Sequence, residues 1–254
     1  MRVARADSAD FFYDQQQLDA LVLPNYCRWI LAPFRGHLRG RMLEVGAGTG
    51  SFAEAYVDDV DEAVLVEPAA NLLGKLAERF ARKSWVHPLL GTLEQHAGRR
   101  VGACDLTEGS FDAAAIVNVL EHVPDDLRLA ETIFRTLRPG GALLVFVPAH
   151  AWLYGSLDAV VRHLRRYTRA SLENLLGAAG FAIETIRYVD ALGVVPWFVA
   201  GRVLRMRRFN ATAASTYDRL GVPLAAWSER RVSLPFGKSL LCIARRPCEG
   251  KVAS

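Results

Sequence analysis

The sequence predicts an α/β protein built on a doubly wound, mostly parallel sheet. Short apolar runs alternate with longer amphipathic runs, and such alternation implies parallel strands joined by helical crossovers. The 254 residues suffice for one domain, 1–254, with insertions. The predicted strands are 41–46, 63–67, 84–88, 112–118, 142–147, 181–189 and the final apolar run, 239–244; the predicted helices are 50–57, 69–81, 125–137 and 169–179.

The first predicted strand runs directly into a glycine-rich turn. Residues 43–52 read Leu-Glu-Val-Gly-Ala-Gly-Thr-Gly-Ser-Phe, with glycines at alternate positions. Glycine permits positive φ and lets a ligand lie against bare backbone. The carboxyl end of such a strand is where open α/β sheets bind nucleotide-like ligands. The turn therefore predicts a nucleotide-like site, with an ordinary structural βα turn as the alternative.

An acidic residue ends the second predicted strand, about twenty residues beyond the glycines. Glu67 is placed where such folds direct a carboxylate to ribose hydroxyls. A dinucleotide site also needs G-x-G-x-x-G, but Ser51 stands where the third glycine belongs. Glu44, two residues before the first glycine, would repel a pyrophosphate. An NAD-dependent reductase is therefore the less favoured alternative.

Four stretches together resemble the class I S-adenosylmethionine-dependent methyltransferases: Leu43–Gly50, Glu67-Pro68, Asn118–Val123 and Leu137–Gly141. Three further stretches resemble the bacterial small-molecule subgroup: Tyr154–Asp158, Arg162–Tyr167 and Leu234–Gly237. The resemblance implies a Rossmann-like sheet of seven strands with an antiparallel last strand. It also implies S-adenosylmethionine as cofactor and S-adenosylhomocysteine as product.

The resemblance further implies which residues contact the cofactor. The N-terminal segment 1–39 would form a helical lid, although a helix pair that only covers the core explains its apolar faces equally well. Asn118 would reach the cofactor or orient the substrate, with a strand-end cap as its alternative role. The implied cofactor-binding residues are Tyr26, Glu44, Gly46, Ala47, Gly48, Gly50, Glu67, Pro68, Thr92, Leu93, Glu94, Asn118 and Val119.

Methyl transfer to a hydroxyl or an amine needs alignment of the partners and, in addition, a base. His122 is the first candidate because it follows the fourth predicted strand and histidine titrates near neutrality. A histidine that only packs at a helix N-terminus is the alternative. His163 is a second candidate base, and Tyr167 is a further catalytic candidate. Some relatives bind a metal in the His122 segment, but Asn118 replaces the first acid of their pattern, so no metal is predicted.

Two insertions, 149–167 and 190–236, are expected on the substrate side. In the first, residues four apart could share a helix face, and the cationic run could bind a phosphate, carboxylate or sugar; solvated ion pairs are the alternative. Its candidate substrate-binding residues are Tyr154, Asp158, Arg162 and Arg166.

The second insertion, 190–236, has three interpretations: a helical cap over the substrate, a basic helix at 191–208 in peripheral contact with a membrane, or a dimerisation element. Its apolar run, 191–201, is too short to cross a bilayer. The oligomeric state cannot be predicted from these patterns.

Composition narrows the function further. A net charge of +4 does not demand a nucleic-acid partner, and the Asn118 segment lacks the Pro-Pro-aromatic pattern of base-modifying methyltransferases. Four scattered cysteines and the absence of an apolar N-terminal run favour a cytoplasmic location. We therefore expect methyl transfer to O or N of a small molecule: a natural product, a sugar or a lipid-linked intermediate. The alternatives are a non-methylating reaction, such as cyclisation of the cofactor's own aminobutyrate chain, and a noncatalytic binding protein.

Overall fold

The computed structural model describes residues 23–232 and 234–248. Its centre is a seven-stranded sheet of order β3-β2-β1-β4-β5-β7-β6, in which β7 runs antiparallel to both neighbours and the other pairs are parallel. This confirms the predicted fold class. The strands are β1 (Arg41–Val45), β2 (Glu62–Glu67), β3 (Val86–Leu90), β4 (Phe111–Val117), β5 (Leu137–Pro148), β6 (Ala182–Val189) and β7 (Ser239–Arg245).

Helices cover both faces of this sheet. One core packs β1, β2, β4 and β5 against helices α4 and α6, and the other packs the opposite face against α1 and α2. Central strands buried on both faces explain the nearly continuous apolar runs of the sequence. The helices are α1 (Pro24–Leu31), α2 (Ala70–Arg79), α3 (Leu93–His96), α4 (Asp126–Thr136), α5 (Ser156–Val160), α6 (Arg169–Ala178), α7 (Val194–Phe198), α8 (Ala211–Thr216) and α9 (Val222–Glu229). A separate two-stranded pairing joins Arg100–Val101 to Cys104–Asp105.

The helix predicted over 50–57 is wrong. Two short 3₁₀ segments, Ala53–Ala55 and Val57–Asp59, stand in its place. Tyr56 separates them with a φ of −137°, outside the helical range. Its hydroxyl donates a hydrogen bond to Oε2 of Glu44 at 2.7 Å. The side chain is therefore held against β1, and the backbone at Tyr56 does not continue a helix.

The insertion before the last strand is helical, as predicted. Helix α7 continues into a π-helical segment, Val199–Val203, and α8 joins α9 through a second one, Tyr217–Gly221. Among the residues that the structure describes, no helix has the length and apolar character that crossing a bilayer requires. The predicted lid falls partly outside the described residues, because 1–22 are not among them.

Helix α1 of this lid begins at Pro24, where proline fits because the first N–H of a helix has no intrahelical partner. The insertion supplies the missing cap. The buried Asp218 accepts hydrogen bonds from the backbone N–H of Asn25 at 3.2 Å and of Tyr26 at 2.8 Å. Helix α1 and the insertion are therefore joined at the helix terminus.

Candidate active site

A cavity of about 460 Å³ opens at the carboxyl ends of β1, β2 and β4. The strand order reverses between β1 and β4, which is the switch point where open α/β sheets bind ligands. Of the thirteen predicted cofactor residues, Gly50 alone does not line the cavity. The twelve that do are Tyr26, Glu44, Gly46, Ala47, Gly48, Glu67, Pro68, Thr92, Leu93, Glu94, Asn118 and Val119.

The glycine turn brings bare backbone to the cavity. Gly46 has φ +74°, and a Cβ there would overlap the side chain of Val119. The N–H groups of Gly46 and Ala47 both donate to the carbonyl oxygen of Val66, at 2.8 and 3.1 Å. Gly50 lies behind the wall, where a Cβ would come within 2.6 Å of Phe80. Glycine is therefore required at 46 by the close approach of the next cavity residue.

Glu67 ends β2 with its carboxylate held by backbone. Oε2 accepts from the N–H of Gly48 at 2.7 Å, and Oε1 accepts from the N–H of Ala69 at 2.8 Å. Burial raises the pKa of Glu67, and these two backbone hydrogen bonds oppose the rise. The carboxylate is thus fixed in the cavity wall with one lone pair of each oxygen engaged.

Glu44 is the second acid of this wall. It is buried in β1, and burial together with the nearby Glu67 raises its pKa to about 8, against the hydrogen bond from the Tyr56 hydroxyl. A carboxyl with this pKa is mostly protonated at pH 7. An incoming ammonium group would favour the charged form.

Two loops complete this half of the cavity. Gly91 turns the chain after β3 with φ +127°, and its N–H donates to the carbonyl oxygen of Glu67 at 3.0 Å. The Thr92 N–H that follows donates to the side chain of Gln95 at 2.9 Å, at the start of α3. Asn118, after β4, has φ +53°, a conformation that asparagine tolerates better than most residues.

Helix α1 and the insertion also contribute side chains to the cavity lining. The Tyr26 ring packs against Phe146 at 5.8 Å, and Lys238 lies 5.2 Å from the Tyr26 ring. The Nζ of Lys238 pairs with Oδ2 of Asp190 at 2.6 Å. Burial alone would lower the pKa of Lys238, but its electrostatic interactions and hydrogen bonds with Asp190 and Tyr26 together outweigh burial and raise the pKa. Tyr26 has its pKa raised to about 12, mainly by burial.

A histidine pair stands at the other side of the cavity. The rings of His122 and His163 are 4.8 Å apart, and both residues line the cavity. His163 Nδ1 lies 2.8 Å from Oδ1 of the buried Asp158. Burial alone would raise the pKa of Asp158, but the hydrogen bond from His163 and the charge of Arg166 outweigh it and lower the pKa. Asp158 is therefore an ionised partner that orients the His163 ring.

His122 is neutral at pH 7. Burial, and then the charge of His163, lower its pKa to about 4, while a hydrogen bond with the backbone of Arg162 acts in the opposite direction. Arg162 itself is exposed with φ +60°. The chain thus turns its backbone, and not the Arg162 side chain, towards the histidine.

Glu121 adds a buried acid beside this pair. Both of its carboxyl oxygens lack a hydrogen-bond partner within the described part of the chain, and burial raises its pKa to about 8. Its Oε1 lies 3.6 Å from Nε2 of His163. Ligand atoms of Glu121, His122 and His163 all lie within 4.8 Å of one another, an arrangement that could hold a metal ion. The expectation that no metal binds here stays a prediction.

Several predicted residues do not line the cavity. Tyr167 is buried, and its hydroxyl donates at 2.7 Å to Asp126, so the structure gives no support for a catalytic role. The hydroxyl of Tyr154 donates to the carbonyl oxygen of His163 at 2.8 Å. Asp158 and Arg162 also lie outside the lining, which leaves Arg166 as the predicted substrate residue that reaches the cavity.

The predicted four-residue pairing along one helix is wrong, because α5 ends at Val160. The chain then turns at Arg162, so Asp158 meets His163 and Arg166 instead. Partners five and eight residues away cannot be predicted from helical spacing.

Among the residues at or behind the cavity that the sequence did not predict, three bear on its chemistry: Lys238, Trp197 and Glu121. Lys238 and Trp197 line it from the insertion side, and Glu121 lies directly behind the histidine pair. Glu121 directly precedes His122 in the Asn118–Val123 motif, so its position beside a candidate base was the sequence signal that could have identified it. Lys238 and Trp197 are isolated in a segment without a recognisable pattern.

Comparison with known proteins identifies the class. A family model described as a methyltransferase domain matches residues 20–186. A protein of Mycolicibacterium smegmatis, named a probable S-adenosylmethionine-dependent methyltransferase, is 28% identical over 191 residues, covering 74% of this chain and 67% of that relative. The chain belongs to the methyltransferase-domain family, and it is an S-adenosylmethionine-dependent methyltransferase.

Two solved structures share the fold. The phosphoethanolamine N-methyltransferase 2 of Haemonchus contortus, in complex with S-adenosyl-L-methionine, has a TM-score of 0.61 at 18% identity. The matched region covers 96% of this chain and 60% of the Haemonchus chain. The cyclase SpnF has a TM-score of 0.60 at 20% identity, and the matched region covers 89% of this chain and 82% of the SpnF chain. Because a cyclase has this fold too, the fold alone does not fix the reaction.

The cavity fits S-adenosylmethionine by its chemistry. Gly46 to Gly48 offer close backbone approach, Glu67 offers acceptors for ribose hydroxyls, and Glu44 offers a carboxyl for an ammonium group. Apolar side chains such as Leu72 and Leu93 provide a surface for a flat ring. S-adenosylmethionine is the cofactor of this enzyme.

Proposed function

We propose that the enzyme transfers a methyl group to an oxygen or nitrogen atom of a small molecule, with His163 as the base. The observation that carries the proposal is that one cavity has the nucleotide-type wall on one side and the His163–Asp158 pair on the other. The cofactor, when bound, supplies a methyl group activated by its positively charged sulfur. The acceptor would enter from the side of Arg166 and Trp197, which also line the cavity.

The protein's own residues would bind and position the partners. Glu67 would accept hydrogen bonds from the ribose, and Thr92, Leu93 and Glu94 would contact the adenine. Helix α1 would exclude water above them. Such positioning can supply about 7–11 kcal/mol of the barrier.

His163 would take the proton of the acceptor at Nε2. Asp158 accepts the Nδ1–H of the ring, which fixes the tautomer that leaves Nε2 unprotonated. The same carboxylate stabilises the ring once it is charged. His122, the first candidate from sequence, is a weak base because burial lowers its pKa to about 4.

The test is turnover with a panel of hydroxyl and amine acceptors, with products identified by mass spectrometry. We expect S-adenosylhomocysteine together with a methylated acceptor. His163→Asn should lower kcat by about 10²–10⁴-fold at unchanged cofactor affinity. His87→Asn is the matched control, because His87 lies on β3 outside the cavity lining. Full turnover in His163→Asn would remove the proposed base.

The same assay separates the alternatives. Cyclisation of the cofactor's aminobutyrate chain would release methylthioadenosine and leave every acceptor unmethylated. Reduction of a substrate would require NADH and leave S-adenosylmethionine unused. Repeating the assay with a chelator tests the predicted absence of a metal, since a required ion at Glu121, His122 and His163 would be lost.

The cellular location is a further proposal. All four cysteines, Cys27, Cys104, Cys242 and Cys248, are free in the structure, which supports a reducing compartment such as the cytoplasm. Measuring the enzyme in fractionated cells checks this.

A further inference from the structure

The insertion has apolar side chains on its outer surface, with a helical period. Val195, Val199 and Val203 are four residues apart on the helix formed by α7 and its π-helical continuation. Val195 is 68% exposed and Val203 is 62% exposed. Phe198, on the same side at three residues from Val195, is also exposed and packs 6.1 Å from the exposed Trp152. Residues i, i+3, i+4 and i+8 share one face of a helix, so these side chains form a continuous apolar stripe.

The second helix of the insertion, 211–229, repeats this arrangement. Leu220, Leu224 and Trp227 are 70%, 55% and 52% exposed and fall at i, i+4 and i+7. The opposite face is the one that packs inward, with Val222 and Ala225 buried. Two helices therefore direct apolar stripes outward although each has another face packed on the protein.

Exposed arginines occur along the chain beside both stripes. The Arg231 guanidinium lies 4.1 Å from the centre of the Trp227 ring, on the second stripe. The acids of the segment are turned away, since Asp218 is buried and Glu229 accepts from the backbone N–H of Asp190 at 2.7 Å. The exposed arginines of the insertion are Arg202, Arg205, Arg207, Arg208, Arg219, Arg230 and Arg231.

We propose that this outer surface of residues 191–232, the insertion face, binds peripherally to an anionic lipid bilayer. Apolar stripes flanked by arginines are the pattern of helices that lie in the membrane interface, where apolar side chains enter the acyl boundary and cations meet anionic headgroups. None of the described helices is built to span the membrane, so the contact is a surface contact.

Charge argues against a second copy of this chain as the occupant. A two-fold contact places the same patch of both copies face to face. The patch has seven exposed arginines and no exposed acid among its described residues, so two copies would bring like charges together, which is unfavourable. An anionic surface has the complementary charge.

The insertion face is continuous with the cavity. Trp197, on α7, lines the cavity and lies 6.1 Å from the Phe209 ring, which lines it too. The two helices meet at Lys238, whose ammonium is 5.4 Å from the ring of Trp197 and 5.8 Å from that of Tyr217. A docked insertion face would bring the substrate side of the cavity close to the lipid headgroups.

The test is co-sedimentation of the full chain with vesicles. We expect binding to vesicles of phosphatidylglycerol and phosphatidylcholine in equal parts, weakened by salt, and little binding to phosphatidylcholine alone. Neutralising three exposed arginines, Arg205→Gln, Arg207→Gln and Arg208→Gln, should weaken binding by about 100-fold. The matched control neutralises three exposed arginines elsewhere: Arg82→Gln, Arg99→Gln and Arg128→Gln.

A pair of leucine variants tests the apolar part. Leu224→Ser, on the second stripe, should weaken vesicle binding by about tenfold or more. Leu127→Ser, at an exposed position of α4, should leave it unchanged. Neither residue lines the cavity, so both variants should bind S-adenosylhomocysteine as the unmodified chain does, and vesicle binding can fail while methyl transfer holds.

Three results would overturn the proposal. The first is no sedimentation with phosphatidylglycerol vesicles. The second is an equal loss of vesicle binding in the triple variant of Arg205, Arg207 and Arg208 and in the control triple variant of Arg82, Arg99 and Arg128. The third is a concentration-dependent dimer that Leu224→Ser abolishes, without vesicle binding, which would assign the insertion face to a second copy.

Discussion

Two glutamates in the protein interior keep their protons at neutral pH. Burial raises the pKa values of Glu44 and Glu121 to about 8 each. An ionised carboxylate in such a place costs several kcal/mol unless it is paired, and protonation avoids that cost. Each carboxyl can still lose its proton. An ammonium group near Glu44, or a charged imidazole ring near Glu121, would lower the pKa of that carboxyl and favour its ionised form.

We predict that the free energy of unfolding falls as the pH rises from about 6.5 to 8. In this window the folded chain keeps protons on Glu44 and Glu121 that the unfolded chain has lost at its ordinary pKa of 4.5, so raising the pH favours unfolding. Each group contributes a slope of up to about 1.4 kcal/mol per pH unit. Below pH 6.5, His122 opposes the trend because its pKa is lowered.

Urea denaturation across this pH range of the unmodified chain and of Glu44→Gln is the measurement. The variant should show a smaller slope, because glutamine has no proton to lose. Glu78→Gln, at an exposed position of α2, is the control and should follow the unmodified chain. Identical slopes for Glu44→Gln and the control would contradict the assignment of a protonated Glu44.

At the scale of elements, the cap of α1 comes from a distant part of the chain. Leu23, at the position before the helix, makes no capping hydrogen bond with its side chain. Asp218 serves instead, and its charge also suits the positive end of the helix dipole. The wall of the cavity that contains Tyr26 is thereby tied to the insertion.

Asp218→Ala should loosen α1 before it loosens the sheet. The loss of the two hydrogen bonds should cost about 1–2 kcal/mol, so amide hydrogens of residues 24–31 should exchange about tenfold faster. Asn210→Ala is the matched control, because Asn210 accepts from the N–H of Ala213 at 3.0 Å and caps α8 instead. Faster exchange at α1 in both variants would show a general loosening rather than loss of this cap.

At the scale of the whole molecule, cofactor binding should stabilise the fold. A ligand that binds the folded chain alone adds about 2.7 kcal/mol at a concentration one hundred times its Kd. S-adenosylhomocysteine should therefore raise the Tm, and Glu67→Ala should reduce that rise because its Kd is at least tenfold higher. Glu78→Ala should respond as the unmodified chain does. An equal rise in Glu67→Ala would remove the assignment of Glu67 to the ribose.

The sheet could be predicted from sequence because its signals are local. The apolar runs of β1, β2 and β4 are buried on both sides, and the glycine turn marks the switch point. The half of the cavity that we propose for the cofactor follows from them, since its residues come directly after strands. The helix predicted over 50–57 was wrong because the hydrogen bond between Tyr56 and Glu44 is a tertiary contact, which local sequence does not encode.

The half of the cavity that we propose for the substrate could not be predicted in the same way. Asp158 finds His163 only because α5 ends at Val160 and the chain turns at Arg162. Lys238 meets the ring of Tyr26 although nearly the whole chain separates the two residues, and it also meets the ring of Trp197 in the insertion. Such contacts depend on how elements pack, and no spacing within a segment encodes them.

The order of the strands has a consequence for synthesis on the ribosome. Within residues 23–232 and 234–248, β6 pairs with no strand other than β7, and β7 (Ser239–Arg245) follows the other six strands of the sheet along the chain. Until those residues have emerged, β6 has no neighbour in the sheet and the outer edge of β5 is open. The nascent chain therefore completes this sheet by inserting a strand between two existing elements, and folding of this side is delayed until β7 has been translated.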